Sequence, residues 1–193
     1  MDKAMRFAVL FSTALALLTA IEGNAALKSQ AVQLRDGTVY FIQPPSLGEV
    51  VTTYNGTGVW GATYYFTIGL PENAGEPLQK LTINQHEGVD YIRFDLEDTV
   101  AFEGTRKDKG QKLKLKDVSS DRKTKTVSLT FDPPVSPGRI ITVALEPKQN
   151  PIVSGVYLFG VKAFPVGKKV HGQFLGYGRL QFYSPSIDSF FWR

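Results

Sequence analysis

The sequence of 193 residues has no cysteine, only two histidines and only two methionines, Met1 and Met5. Without cysteine there is no disulfide scaffold, no thiolate zinc site, no iron–sulfur cluster and no cysteine nucleophile. His86 and His171 have no third histidine with which to form a zinc triad, and neither has a histidine at ligand spacing. No serine sits in a G-x-S-x-G string, so the nucleophile elbow is missing. Helix signals are few. Ser46 and Glu49 match a capping box, but Val50, Val51, Thr52 and Thr53 follow, and these are poor helix formers. Asp98 to Gly104 has room for a single turn. There is no internal repeat, low-complexity stretch or linker, which argues for one domain.

One long apolar run is present, at the N-terminus. Lys3 and Arg6 precede 14 uncharged residues, Phe7 to Ala20, and the small residues Gly23 and Ala25 follow two apart. These are the parts of a secretory signal peptide. The run is short of the ~20 residues that a membrane span needs. The expected cleavage follows Ala25, so the domain organisation reads 1–25 leader and 26–193 single domain, ending in a 184–193 tail. That domain contains neither cysteine nor methionine, and so no thiolate or thioether for copper or for oxidation.

The body alternates with period two. Tyr64, Phe66 and Ile68 share one side. So do Leu81 and Ile83; Ile92, Phe94 and Leu96; Val127, Leu129 and Phe131; and Ile141, Val143 and Leu145. Val156 to Phe164 and Arg179 to Tyr183 continue the pattern. Such segments are strands with one face on a core and one in water. Asp36-Gly37 between Val32-Gln33-Leu34 and Thr38-Val39-Tyr40 signals a hairpin. Pro71 to Pro77, Asp132-Pro133-Pro134, Pro137-Gly138, Asn150-Pro151 and Pro165 read as breaks. The expected fold is all-β: an immunoglobulin-like antiparallel β-sandwich, with a barrel as the alternative.

Two strings invite a catalytic or ligand reading. Gly56, Gly58 and Gly61 spell G-x-G-x-x-G, but strand residues follow where a dinucleotide loop requires a helix. The string reads as a glycine-rich turn entering a strand. Asp95, Glu97, Asp98 and Glu103 cluster as carboxylates. They admit a calcium site or a glycosidase pair, against a wet strand face with Arg93 two residues before Asp95. No EF-hand spacing is present.

Positive charge is local. Lys and Arg number 22 against 18 Asp and Glu, a net +4. Between Thr105 and Lys125 lie Arg106, Lys107, Lys109, Lys112, Lys114, Lys116, Arg122, Lys123 and Lys125. Only Asp108, Asp117 and Asp121 oppose these nine cations, so the segment carries +6 and the rest of the chain is net negative. Leu113 and Leu115 alternate with lysines, and Ser119 to Asp121 is the expected turn back. The segment reads as an anion-binding hairpin; lysines also protect a sheet edge from aggregation. Aromatics are not interleaved with the cations, which disfavours nucleic acid. Phe190, Phe191 and Trp192 in the tail read as a partner-docking anchor or as a terminus folded on the core.

Specific strings carry a resemblance. These are Val59-Trp60-Gly61-Ala62-Thr63-Tyr64-Tyr65-Phe66, Pro71-Glu72-Asn73-Ala74-Gly75-Glu76-Pro77-Leu78, Phe131-Asp132-Pro133-Pro134, Gly155-Val156-Tyr157-Leu158-Phe159-Gly160-Val161 and Gly176-Tyr177-Gly178-Arg179. Over about Val39 to Tyr183 the chain resembles a cyanobacterial family of exported domains of unknown function. The resemblance implies a cyanobacterial source and an envelope or lumenal location, and it carries no activity. The expected function is therefore an exported, non-catalytic binding or structural protein of the cell envelope, in the periplasm or thylakoid lumen, without a cofactor or metal. Its partner would be an anionic envelope component or another envelope protein, with peripheral membrane contact. The alternative is a hydrolase of an envelope polymer using Asp95, Glu97 or Glu103.

Overall fold

The computed structural model describes residues 32–33 and 36–184. The expected leader, residues 1–25, and the tail residues Phe190, Phe191 and Trp192 lie outside them. Twelve strands follow one another: β1 (Val32–Gln33), β2 (Val39–Tyr40), β3 (Ser46–Thr52), β4 (Tyr64–Gly69), β5 (Leu78–Glu87), β6 (Phe94–Gly104), β7 (Lys109–Leu113), β8 (Leu115–Asp121), β9 (Thr126–Val135), β10 (Ile140–Pro147), β11 (Gly155–Pro165) and β12 (Gln173–Phe182). Two five-stranded sheets form, ordered β3-β4-β10-β6-β7 and β12-β11-β5-β9-β8, with β1 and β2 as a small separate pair. Neighbouring strands are antiparallel throughout. The fold is the expected immunoglobulin-like sandwich, with open edges where a barrel would close.

The alternating residues face each other between the sheets. Tyr64, Phe66, Ile68, Ile141, Val143 and Leu145 come from one; Leu81, Ile83, Leu129, Phe131, Tyr157 and Phe159 come from the other, and all are buried. Aromatic rings knit the layers together. Phe66 meets Phe159 edge-on at 5.7 Å, and Tyr64 contacts Phe159 at 6.1 Å and Phe182 at 5.8 Å. Burial of each large side chain stabilises the fold by about 1.5–3 kcal/mol.

Three local expectations are corrected. Asp98 to Gly104 is strand, not a turn: it belongs to β6, whose pairing with β10 is irregular between Ala144 and Glu146. Thr99 Oγ1 donates to the Asp95 carbonyl across that irregularity at 3.3 Å. Asp132-Pro133-Pro134 does not break the chain but lies inside β9. The β5 ladder skips there, and the β8 ladder ends at Phe131, which leaves room for two residues without N–H groups. Ser119 to Asp121 is the end of β8, and the turn falls at 122–125.

Strand directions sort the connections into two ends. β3, β5, β8, β10 and β12 run toward one end, so the 53–63, 88–93, 122–125 and 148–154 connections and Tyr183 collect there.

Candidate functional site

That loop end is organised around one buried amide. Asn150 is 2% exposed. Its Oδ1 accepts from the Tyr64 hydroxyl at 2.8 Å, and its Nδ2 donates to the carbonyls of Tyr54 at 3.0 Å and Gly56 at 2.9 Å. Its backbone N–H donates to the Val59 carbonyl at 2.8 Å. The side chain thus uses its acceptor and both its donors. Burial, with Tyr157 close by, pushes the Tyr64 phenol far above its ordinary pKa, so it remains a hydroxyl donor. Further bonds close the same loops. Gly58 N–H donates to the Pro151 carbonyl at 2.9 Å, and Gln149 Nε2 to the Gly58 carbonyl at 2.9 Å. Thr57 N–H donates to the Tyr183 carbonyl and Tyr183 N–H to the Asn55 carbonyl, so a short parallel bridge between Gly56 and Tyr183 ties the end of β12 to the 53–63 loop.

A second anchor is Asp90. Its Oδ2 accepts from the amides of Ile152 at 2.7 Å and Val153 at 2.8 Å. Buried Gln85 donates to the Asp90 carbonyl at 2.6 Å and accepts from Ile92 N–H at 2.9 Å. Tyr157 closes the set by donating to the Val153 carbonyl at 3.0 Å. Gly88, at φ +132°, is required beside it: a Cβ there would stand 2.1 Å from the Tyr157 ring.

With Asn150 and Gln85 turned inward and satisfied, the loop end presents apolar side chains outward beside the exposed Asn55, Arg93 and Lys148. Val89 is 75% exposed, Ile152 74% and Trp60 71%; Tyr54, Tyr183 and Val153 are exposed beside them. A shallow cavity of about 400 Å³ lies between the 88–93 and 148–152 segments, next to Arg93 and Lys148. Asp90, in its lining, is already spent on backbone amides, and Lys148 pairs with Asp95 at 3.4 Å.

The cations read from the sequence do not form one hairpin. β7 and β8 are edge strands of opposite sheets, and the chain crosses between them at Lys114. Leu113 and Leu115 both pack on the core, and a strand that changes sheets keeps the same alternation as a hairpin arm. Arg106 and Lys109 lie over the Tyr65 ring at 5.9 and 5.6 Å, and Lys109 also lies over Phe102 at 5.4 Å. Lys112 lines the same outer face. Lys107 is exposed in the β6–β7 turn, Lys116 is exposed on β8, and Lys114 pairs loosely with Asp132 at 3.8 Å. Arg122, Lys123 and Lys125 sit in the β8–β9 turn, which belongs to the loop end. There Asp121 Oδ1 accepts from the amides of Lys123 and Thr124, and these bonds hold its carboxyl below the ordinary range.

Of the β6 carboxylates, Asp95 and Glu103 do not converge, and Glu97 and Asp98 are exposed. Asp95 pairs with Lys148, and Glu103 pairs with Arg139 at 3.1 Å. Their β10 partners, Glu146 and Ile141, are five residues apart along one strand. At ~3.3 Å per residue that is about 16 Å, against ~5–9.5 Å for a glycosidase pair. Among the described residues no group of three or more His, Asp or Glu is placed to hold a metal ion. His86 is exposed, on the polar parity read from the sequence.

Sequence reasoning took Asn150-Pro151 for a turn only and did not single out Trp60, Val89, Asp90 or Ile152. The available signals were a tryptophan between glycines and a lone aspartate before a strand. Neither says which distant loops meet.

A family described as "Protein of unknown function (DUF2808)" matches residues 38–182. No curated protein matches the sequence. Among solved structures, the C-terminal domain of the Streptococcus pyogenes antigen I/II-family protein AspA is similar at 12% identity and a TM-score of 0.41, covering 72% of this chain; the chain spans 47% of that one. The collagen-binding domain of a Staphylococcus aureus adhesin is 11% identical over 70% of this chain and 97% of that one, with a TM-score of 0.37. A cohesin module from a Clostridium perfringens family 33 glycoside hydrolase is 10% identical over 72% and 97%, with a TM-score of 0.34.

Proposed function

The chain belongs to the DUF2808 family, and we propose that it is an exported, non-catalytic binding module of the cell envelope that docks on an anionic membrane surface through its loop end. The observation that carries this reading is the inverted construction there: satisfied polar groups inside, apolar and aromatic tips outside. Tryptophan and tyrosine suit the boundary between headgroups and acyl chains, and aliphatic tips suit shallow burial. The basic turn of Arg122, Lys123 and Lys125 stands at the same end, where each cation adds about 1 kcal/mol next to anionic lipid. The charged and apolar start of the sequence supports export, and the family resemblance supports a cyanobacterial envelope or lumen.

The hydrolase alternative loses ground because Asp95 and Glu103 stand about 16 Å apart along the sheet, each engaged in its own ion pair, and Glu97 is exposed on the strand. The deciding experiment is co-sedimentation of the 26–193 protein with phosphatidylglycerol vesicles and with phosphatidylcholine vesicles at low and high salt. Binding to the anionic vesicles, weakened by salt and further weakened by Trp60→Ser with Ile152→Ser, is the expected result. Failure to bind anionic vesicles at low salt removes the membrane reading.

A further inference from the structure

The outer face of the β12-β11-β5-β9 region carries a different surface. Gly160 on β11 pairs with Tyr177 on one side and Asn84 on the other, and Asn84 pairs with Thr126. The next row holds Phe174, Lys162, Thr82 and Ser128. Cross-strand partners point to the same face, and all of these but Ser128 line one groove of about 660 Å³, within the range that ligand sites occupy. Across four strands it spans about 14 Å.

Three rings stand together along one side. Tyr177 lies between His86, tilted at 4.7 Å, and Phe174, edge-on at 5.0 Å. A side chain on Gly160 would meet the Tyr177 ring at 3.3 Å and the Phe174 ring at 3.4 Å, so the glycine lets both rings close over the sheet. An aromatic covering a glycine is a known sheet device, and it accounts for Tyr177 over Gly160. It does not account for rings left 50% (Tyr177) and 43% (Phe174) exposed beside a row of uncharged hydrogen-bonding groups.

The lining chooses the ligand. It contains no carboxylate and one lysine, Lys162, with Thr82, Asn84, Thr124 and Thr126 as neutral polar groups. An anion would meet Lys162 alone in the lining, with Lys80 beside it over the Phe164 ring at 5.7 Å. An added peptide strand needs a free backbone edge; β11, β5 and β9 are paired on both sides, and the edge of β12 lies beside the groove rather than across Thr82, Asn84 and Thr126. An aliphatic ligand would strip water from hydroxyl and amide groups without replacing its hydrogen bonds. A glycan meets both demands, with the C–H faces of its rings on aromatic faces and its hydroxyls on amide and hydroxyl groups. Asn84 is held for this by Nδ2 bonds to the Thr124 carbonyl and to Thr126 Oγ1.

We propose that this groove binds an uncharged polysaccharide strand. The site does not depend on the membrane contact and stands if that contact fails.

The test is co-sedimentation of the 26–193 protein with insoluble cellulose, chitin, β-1,3-glucan and starch at ~1 M salt, where the screening length is ~3 Å and ionic contacts are suppressed. At least one of the four retains the protein. Tyr177→Ala and Phe174→Ala each weaken that retention about tenfold, an effect on the scale of one aromatic contact, while near-ultraviolet circular dichroism reports an intact fold. Thr82→Val, which removes a hydroxyl and keeps the shape, weakens it less. Replacing Arg122, Lys123 and Lys125 with glutamate leaves it unchanged. Retention by none of the four, or retention indifferent to both ring substitutions, overturns the proposal. So does a dimer that either ring substitution dissociates without any polysaccharide being held, because the face is then covered by a second copy.

Discussion

Trp60 and Lys112 are both at the surface, but the regions around them are built in opposite senses. Along the basic edge, charges point to water and leucines point to the core, so each residue's environment follows from its type. At the loop end the order is reversed: an asparagine and a glutamine are buried, and tryptophan, valine and isoleucine are exposed. The edge is held by its alternation with a generic core. The loop end is held by hydrogen bonds between residues as far apart as Tyr64 and Asn150. A surface that spends hydrogen bonds to present apolar groups costs free energy in water, and binding would recover it.

Asn150→Ala should separate the two regions most sharply. It leaves the Tyr64 hydroxyl and two backbone carbonyls without partners, and a loss of about 3 kcal/mol in urea unfolding is expected. A change below ~1 kcal/mol would mean that water replaces the amide and that the loops are not built on it. Asp90→Ala should cost less, about 1–2 kcal/mol, because its carboxylate is partly exposed. Its signature is faster amide exchange at Ile152 and Val153 with core strands unchanged. By contrast, Lys112→Glu or Lys116→Glu should stay within ~0.5 kcal/mol, as exposed substitutions do. A large loss there would show that the basic edge is structural.

The most local effect belongs to the β1–β2 hairpin. Lys169 and the Thr38 amide and hydroxyl bond the Asp36 carboxylate and lower its pKa from 3.8 to about 2. The folded value lies below the unfolded one. The contribution is therefore present above pH 3.8 and lost as pH falls through about 2. Titration of the Asp36 carboxyl by NMR should show that midpoint, and Lys169→Met should move it upward. An unmoved midpoint would remove the ion pair as its main cause.

Most of the sandwich was legible because half-buried strands impose period two. Phe66, Leu129 and Val143 fall inside as read. The pattern failed where the ladder slips. Pro133 and Pro134 looked like a break because neither donates, yet β9 carries them at a bulge. β12 begins at Gln173, before the expected Arg179, because its register with β11 slips between Val161 and Lys162, and Gly176 and Gly178 dilute the alternation. The site was less legible. The cations were visible as a run, but the same Leu-Lys alternation describes a hairpin arm and a strand that changes sheets.

Composition, periodicity and turn residues by themselves determined the class of fold, the residues of the core and the chemistries that have no side chains to perform them, since each depends on residue type and near neighbours. Only tertiary structure decided that Asn150 gathers the loops under Trp60, that the β8–β9 cations share their end, and that Tyr177, Gly160 and Asn84 form one row. These are meetings between residues far apart in the chain, set by strand order and register, and local pattern carries no information about which strands become neighbours.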